Sequence, residues 1–340
     1  MRSFGSDNNS GVDPRIMQAL MDANNDHAIA YGDDRWTHEA EEAIRSLLGE
    51  KDVEPFFLFN GTGANVVALQ ACTLPFHSIL CAATAHIAVD ECGAPVKMTG
   101  AALKEIPAPD GKLTPDLVRP YLHGFGFEHH SQPKVIAISQ TTELGTLYTP
   151  QEIKALADLA HNHDMILFVD GTRMANACAA LNVSLKEMTV DADVDIFTLG
   201  GTKNGLMFGE VLVPLRNELA KNIKYYRKQT TQLYSKMRFI SAQFIPYLKE
   251  DIWLENAKKS NDAAQKLYRE IKDVEGVQIT QPVQSNALFL ILPKEISEKL
   301  RERYFFYDWD ESRNEVRLVC SWDTSEGDIR DFVAYLREFS

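Results

Sequence analysis

Two short stretches constrain this chain more than any others: FVDGTRMANA at 168–177 and, after a spacer, DVDIFTLGGTKNG at 193–205. Residues 165–169 and 195–199 are apolar runs, and each stops abruptly in polar, glycine-rich sequence. A short run bounded in that way predicts a buried parallel strand whose C-terminal end opens a site. Ligands of open α/β sheets sit at those strand ends. The first run delivers Asp170, with Arg173 on the turn into a helix, and the second delivers Lys203 among Gly200, Gly201 and Gly205. Taken singly, each has an ordinary reading: Asp170 as a helix N-cap, Lys203 as a solvated loop lysine. In combination they suit pyridoxal 5'-phosphate (PLP), which a lysine holds as a Schiff base while a carboxylate keeps its pyridine nitrogen protonated.

A third element upstream fits the same cofactor. In FFLFNGTGAN at 56–65, a strand over 56–59 turns through Asn60–Gly63 into a helix over 64–73. Gly61, Thr62 and Gly63 would let backbone approach a phosphate, and the helix start would point N–H groups at it. Half of a dinucleotide fingerprint is present in Gly61-x-Gly63, but Val66 stands where its third glycine belongs. No acid follows about 20 residues on, where a ribose contact is expected, so a single-phosphate cup fits better. His86 begins a short amphipathic segment just past a strand over 78–82; alone it reads as a loop or helix-start histidine.

Strand and helix patterns alternate from residue 56 onward, which predicts a mostly parallel sheet with helices on both faces. The chain of 340 residues is long enough for that core and a smaller second domain. We divide it into an N-terminal arm at 1–12, a large domain at 13–248 and a small α+β domain at 249–340. Residues 217–248 read as one helical stretch rich in Lys, Arg, Tyr and Gln, either a solvated cationic face or the lining of an anionic site across a subunit boundary. Arg317 alternates with Val316, Leu318 and Val319, and a half-buried arginine of that kind expects an anionic partner.

Charge and cysteine usage exclude several classes. A net charge of −13 would repel a phosphate backbone, so nucleic acid is not an expected partner. The five cysteines show no CxxC or metal spacing, and the His129-His130 pair reads as loop, so no metal is expected. With no apolar leader and no bilayer-length apolar run, the expectation is a cytoplasmic protein that does not enter membranes.

With these residues in view, the chain resembles the aromatic amino acid β-eliminating lyase/threonine aldolase family. The likeness covers nearly the whole length: SDN at 6–8, YGDD at 31–34, NGTGAN at 60–65, HIAVDECGAP at 86–95, the two opening motifs, SKMRFISAQF at 235–244 and RLVCSWDT at 317–324. The resemblance implies PLP on an aspartate-aminotransferase-like fold, with a small α+β C-terminal domain. It implies Lys203 as the cofactor lysine, Asp170 against the ring nitrogen, His86 stacked on the ring, and Gly61, Thr62 and Gly63 around the phosphate. Ser6, Arg173 and Arg317 match positions that bind the substrate carboxylate. Arg238 matches a phosphate-contacting arginine from a neighbouring subunit, which implies a homodimer or homotetramer with shared active sites. Departures are GGTKNG in place of an SKG form, and Gln140 where one branch carries Asn. The implied reaction is retro-aldol cleavage of β-hydroxy-α-amino acids, L-threonine or L-allo-threonine giving glycine and acetaldehyde. Aryl substrates such as phenylserine, another PLP lyase or aminotransferase reaction, and a non-catalytic binding role stay open at this point.

Overall fold

The computed structural model describes residues 2–340. Its larger sheet has seven strands. They are β1 (Phe56–Leu58), β2 (His77–Ala82), β3 (Ala102–Ile106), β4 (Gln132–Ser139), β5 (Ile166–Asp170), β6 (Ile196–Gly200) and β7 (Glu210–Pro214). Their spatial order is β1-β7-β6-β5-β4-β2-β3. The strands from β6 to β3 pair in parallel, whereas β7 runs antiparallel to β6 and to β1. Leu167, Phe168, Val169, Ile196 and Phe197 are fully buried, covered on both faces of the sheet. That double burial is why they read as unbroken apolar runs rather than alternating ones.

Register decides where the chain leaves this core. Ser139 stands opposite Asp170, and Gly200 opposite Glu210. The parallel strands therefore end at one common edge, and β7, running the other way, begins there. The loop after β5 touches the end of β6 backbone to backbone. A Cβ on Gly171 would lie 1.9 Å from the carbonyl oxygen of Thr198, so only glycine allows that approach.

Local signals set the helix starts. Asp13 caps the helix Pro14–Ala23, and Thr149 with Glu152 forms a reciprocal capping box at Pro150–His161. The phosphate-cup helix starts at Gly61 rather than at residue 64, because Asn60 Oδ1 accepts from the Gly63 N–H at 2.8 Å. Residues 217–248 do not form one helix but three, Asn217–Ala220, Ile223–Gln229 and Arg238–Lys249. Thr231 takes a φ of +63°, which ends the second of these. Gln232 is then drawn across to accept from the Phe59 N–H at 3.0 Å. His161, in the last turn of its helix, reaches Asp195, with Nε2 3.0 Å from Oδ2.

The smaller sheet is antiparallel, with β8 (Gln278–Ile279), β9 (Ala287–Ile291), β10 (Tyr307–Asp310) and β11 (Glu315–Val319) in the order β10-β11-β9-β8. β10 is an edge strand with exposed Tyr307 and Asp308, and so carries no apolar pattern to read. A second apolar cluster lies under this sheet, and Phe4 is fully buried within it. The Phe4 N–H donates to Phe305 O at 2.8 Å, and its own carbonyl accepts from the Val319 N–H at 2.7 Å. A single aromatic thus anchors an otherwise polar N-terminal stretch. The helix Ile252–Ile271 joins the two cores, placing Trp253 and Ala257 in the first and Ala264 and Leu267 in the second. Among the described residues, no helix is long and apolar enough to cross a membrane.

Candidate functional site

The common strand edge opens into a cavity of about 440 Å³ whose walls bring together Gly61, Thr62, His86, Asp170 and Lys203. Asp170, at the end of β5, is buried, and both of its oxygens are held. Oδ2 accepts from Asn65 Nδ2 at 3.0 Å, while Oδ1 accepts from the Thr172 N–H at 3.0 Å and the Thr172 hydroxyl at 2.7 Å. It is not a helix N-cap, since Arg173 occupies that position for the helix Met174–Leu181. Lys203 sits in the single turn Thr202–Asn204. Asn204 pins that turn by donating from Nδ2 to the Tyr247 hydroxyl and to Trp253 O, each at 2.8 Å.

His86 starts the short helix His86–Val89, with Nδ1 2.9 Å from Glu91 Oε1. That hydrogen bond lifts the imidazole above its ordinary pKa against the opposing effect of burial. Burial raises the Glu91 carboxyl as well, despite the bonds from His86 and Asn65 that pull it down. Asn65 Nδ2 donates to Glu91 Oε1 at 2.8 Å as well as to Asp170, so one chain of contacts runs His86–Glu91–Asn65–Asp170. With Nδ1 engaged, Nε2 is the His86 nitrogen left for chemistry.

The two arginines differ. Arg173 meets Asp7 fork to fork, Nε to Oδ2 at 2.7 Å and Nη2 to Oδ1 at 3.0 Å, and Asn286 Nδ2 donates to the same carboxylate at 3.1 Å. Burial alone would raise the Asp7 carboxyl, but the charge and hydrogen bonds of Arg173 hold it below the usual range. Ser6 supports this arrangement from the side: its Oγ accepts from the Asn8 N–H at 3.1 Å and caps the turn Asp7–Asn9. Arg317 has only a loose contact, Nη1 to Glu143 Oε2 at 4.0 Å, and lies over the Trp309 ring at 5.3 Å. Its buried Nε has no partner. Burial and then repulsion from Arg173 lower its pKa.

Five residues of the implied set do not line this cavity: Ser6, Arg173 and Arg317, placed as above, and Gly63 and Arg238. Gly63 faces away from the cavity toward Gln232, where an added Cβ would come within 2.2 Å, so it shapes the helix start. Arg238 Nη1 donates to Asp26 O at 2.9 Å and to Asn25 O at 3.3 Å, outside the cavity wall. Sequence reasoning missed Asp7, Asn65, Glu91, Glu143 and Glu210 as site residues. Three of these, Asp7, Asn65 and Glu91, lie inside quoted motifs, but an acid or amide in a motif carries no sign of what it will face. Three of them, Asn65, Glu91 and Glu210, line the cavity and each keeps one buried oxygen without a hydrogen-bond partner. A wall of unpaired polar atoms is built for a polar ligand. A glycine-bearing helix start, a buried carboxylate and a lysine around one cavity fit PLP in particular.

Comparison with known proteins gives the same answer. A family model described as β-eliminating lyase matches residues 3–294. The low specificity L-threonine aldolase of Pseudomonas sp. (strain NCIMB 10558) is 40% identical over 338 residues, covering 99% of this chain and 97% of that protein. The Escherichia coli K12 protein of the same description is 25% identical, over 91% of this chain and 90% of its own length. Among solved structures, the Leishmania major threonine aldolase superposes with a TM-score of 0.95 at 31% identity, covering 99% of each chain. The aspartate aminotransferase of Thermus thermophilus, at 15% identity and a TM-score of 0.69 over 99% of this chain and 90% of that one, shares the fold alone. The fold is therefore aspartate-aminotransferase-like, and the chain belongs to the β-eliminating lyase family, on its threonine aldolase side.

Proposed function

We propose that this protein is a PLP-dependent aldehyde-lyase that cleaves β-hydroxy-α-amino acids by a retro-aldol reaction, taking L-threonine and L-allo-threonine to glycine and acetaldehyde. The observation that carries this is the meeting of Lys203, Asp170 and His86 with a helix N-terminus in one cavity. Gly61 and Thr62 would hold the phosphate, Gly63 shaping that turn from behind, with Asp170 at the ring nitrogen, His86 at the ring face and Lys203 at the aldehyde carbon. When bound, PLP supplies the electron sink for the pair released as the Cα–Cβ bond breaks. Arg317, helped by Arg173 and the Ser6 turn, binds the substrate carboxylate and so fixes how Cα is presented. His86 Nε2 takes the β-hydroxyl proton as the carbonyl of the departing aldehyde forms. Glu91 holds the imidazole in place through Nδ1.

The test is turnover without an acceptor. Purified protein given L-threonine and no keto acid should release acetaldehyde, and L-allo-threonine and phenylserine assayed beside it rank the side-chain preference. Threonine consumption only when a keto acid is supplied would instead make the protein an aminotransferase. A second expectation separates the arginines. Arg317→Ala should raise the KM for threonine by on the order of 10- to 100-fold, the loss of a charge-assisted contact worth about 1.5–3 kcal/mol, and leave the cofactor bound. Arg173→Ala should also destabilise the fold by about 3–5 kcal/mol in denaturant titration, because it strands buried Asp7. Cofactor release by Arg317→Ala with an unchanged KM would reverse the roles.

The same reading takes the protein as a cytoplasmic homodimer or homotetramer with shared active sites. Arg238 stands outside its own cavity, and exposed Phe59 and Tyr234 lie 6.5 Å apart beside the mouth, where a second subunit would cover them. It also keeps the division into a large unit at 13–248 and a small one at 249–340; two separate apolar cores support two units, with Ile252, Trp253 and Ala257 at the start of the second range packing into the first core.

A further inference from the structure

An arginine that must take up a substrate carboxylate cannot be locked to a carboxylate of the protein, and left unheld it would spread over many rotamers. Arg173 is locked, fork to fork with Asp7 at 2.7 and 3.0 Å. Arg317 is not. Its buried Nε has no hydrogen-bond partner, and its contact with Glu143, 4.0 Å from Nη1, is too long for one. What lies against it is an aromatic face: the guanidinium carbon stands 5.3 Å from the centre of the Trp309 ring. The small sheet places that ring by an irregularity in its register. Tyr307 pairs with Arg317 and Asp308 with Val316, but the next pair is Asp310 with Glu315. Trp309 is the residue left over, and a bulge of this kind re-aims a side chain. Phe289 stands opposite Arg317 on β9 and meets the half-buried Trp309 ring edge-on, with centres 5.0 Å apart. Phe289 is itself pressed toward the large sheet's loops, since a Cβ on Gly145 would lie 3.5 Å from its ring. The turn closed by Gly145 N–H on Thr142 O is the one that carries Glu143 into the cavity wall.

We propose that Trp309 is a positioning residue for substrate binding: its ring face holds the Arg317 guanidinium and leaves the N–H edge free for the substrate carboxylate. A ring face attracts a cation through its quadrupole and does not take up the in-plane N–H donors that a carboxylate needs. A planar guanidinium can therefore lie on an aromatic side chain and still present its fork, which a lysine ammonium cannot do. Something must hold the group, because Arg173 is a second cation that repels it. Phe289 in turn keeps Trp309 from swinging away on its exposed edge strand. The proposal rests on the reading of Arg317 as the carboxylate-binding residue; the contact between ring and guanidinium does not.

The test is a double-mutant cycle on the loaded enzyme. Trp309→Leu should raise the KM for L-threonine about 3- to 30-fold, the range of a cation–aromatic contact. Its kcat should stay within about twofold, because the contact serves bound substrate throughout the reaction. Trp309→Phe should raise KM less, since a phenyl face attracts a cation more weakly than an indole face. In the Arg317→Ala background, Trp309→Leu should change KM by less than about twofold, there being no guanidinium left to hold. Titration with glycine, followed by cofactor absorbance, should show the same pattern in a binding constant measured without turnover. An unchanged KM in Trp309→Leu overturns the proposal. So does an equal rise in both backgrounds, which is what a role in sheet packing alone would give. If Trp309→Leu does not fold, Trp309→Phe in the two backgrounds decides by the same criteria. A raised KM in Arg317→Ala beside an unchanged one in Trp309→Leu would overturn the proposal and leave the reading of Arg317 intact. An unchanged KM in Arg317→Ala would overturn both.

Discussion

Lys203→Ala should lower the turnover of L-threonine by on the order of 10⁴-fold, about 5 kcal/mol of barrier, and abolish the borohydride-trappable link to the cofactor. The size follows from where Lys203 sits. It is carried by one turn at the end of β6, and that turn is fixed from beneath by Asn204 on Tyr247 and Trp253. No other lysine lines the cavity, so no neighbour replaces it. The helix start and Asp170 are untouched by the substitution, so PLP should still bind, now removable by dialysis. The variant should fold, because Lys203 is only half-buried and a shorter side chain there leaves the Asn204 anchors in place. A stable reduced adduct in Lys203→Ala would place the linkage at another residue.

Asp170→Asn should reduce kcat by on the order of 10²- to 10³-fold while the cofactor stays linked to Lys203. A carboxylate about 4 Å from a cation is worth about 4 kcal/mol at an effective dielectric near 20, and the amide supplies little of that. The surroundings make the substitution harsher. Thr172 donates to Oδ1 twice and Asn65 donates to Oδ2, so whichever way the new amide turns, its NH₂ meets a donor. The Asn65–Glu91–His86 chain should loosen with it. Steady-state kinetics with the visible spectrum of the variant would check this. A kcat within tenfold of wild type would mean that Asp170 does not hold the ring nitrogen.

The opening motifs were legible because each piece of chemistry lies within a few consecutive residues. FVDGTR and GGTKNG end parallel strands, and the fold brings strand ends to one edge by register alone, as Ser139 opposite Asp170 shows. The caps at Asp13 and Thr149 are local in the same sense, since each cap and its partner are three residues apart or fewer. What could not be read depends on residues far apart in sequence. Asp7 was passed over because its partner Arg173 lies 166 residues further along the chain, just after β5. Its pairing changes the expected balance between the arginines, leaving Arg317 with the open Nε. Glu210 heads an apolar strand and looks like a solvent-facing start, yet antiparallel β7 carries it into the cavity. The break at 230–237 had no composition signal either, since it follows from Gln232 reaching Phe59.

The most direct measurement of the central claim is product analysis in deuterated water with L-threonine and no keto acid. Retro-aldol cleavage breaks Cα–Cβ and then takes one proton from solvent at Cα. The expected result is glycine carrying a single deuterium at Cα, together with an equal amount of acetaldehyde. Formation of α-ketobutyrate and ammonia without glycine would show that the Cα–H bond breaks instead and the hydroxyl leaves, and would contradict the account.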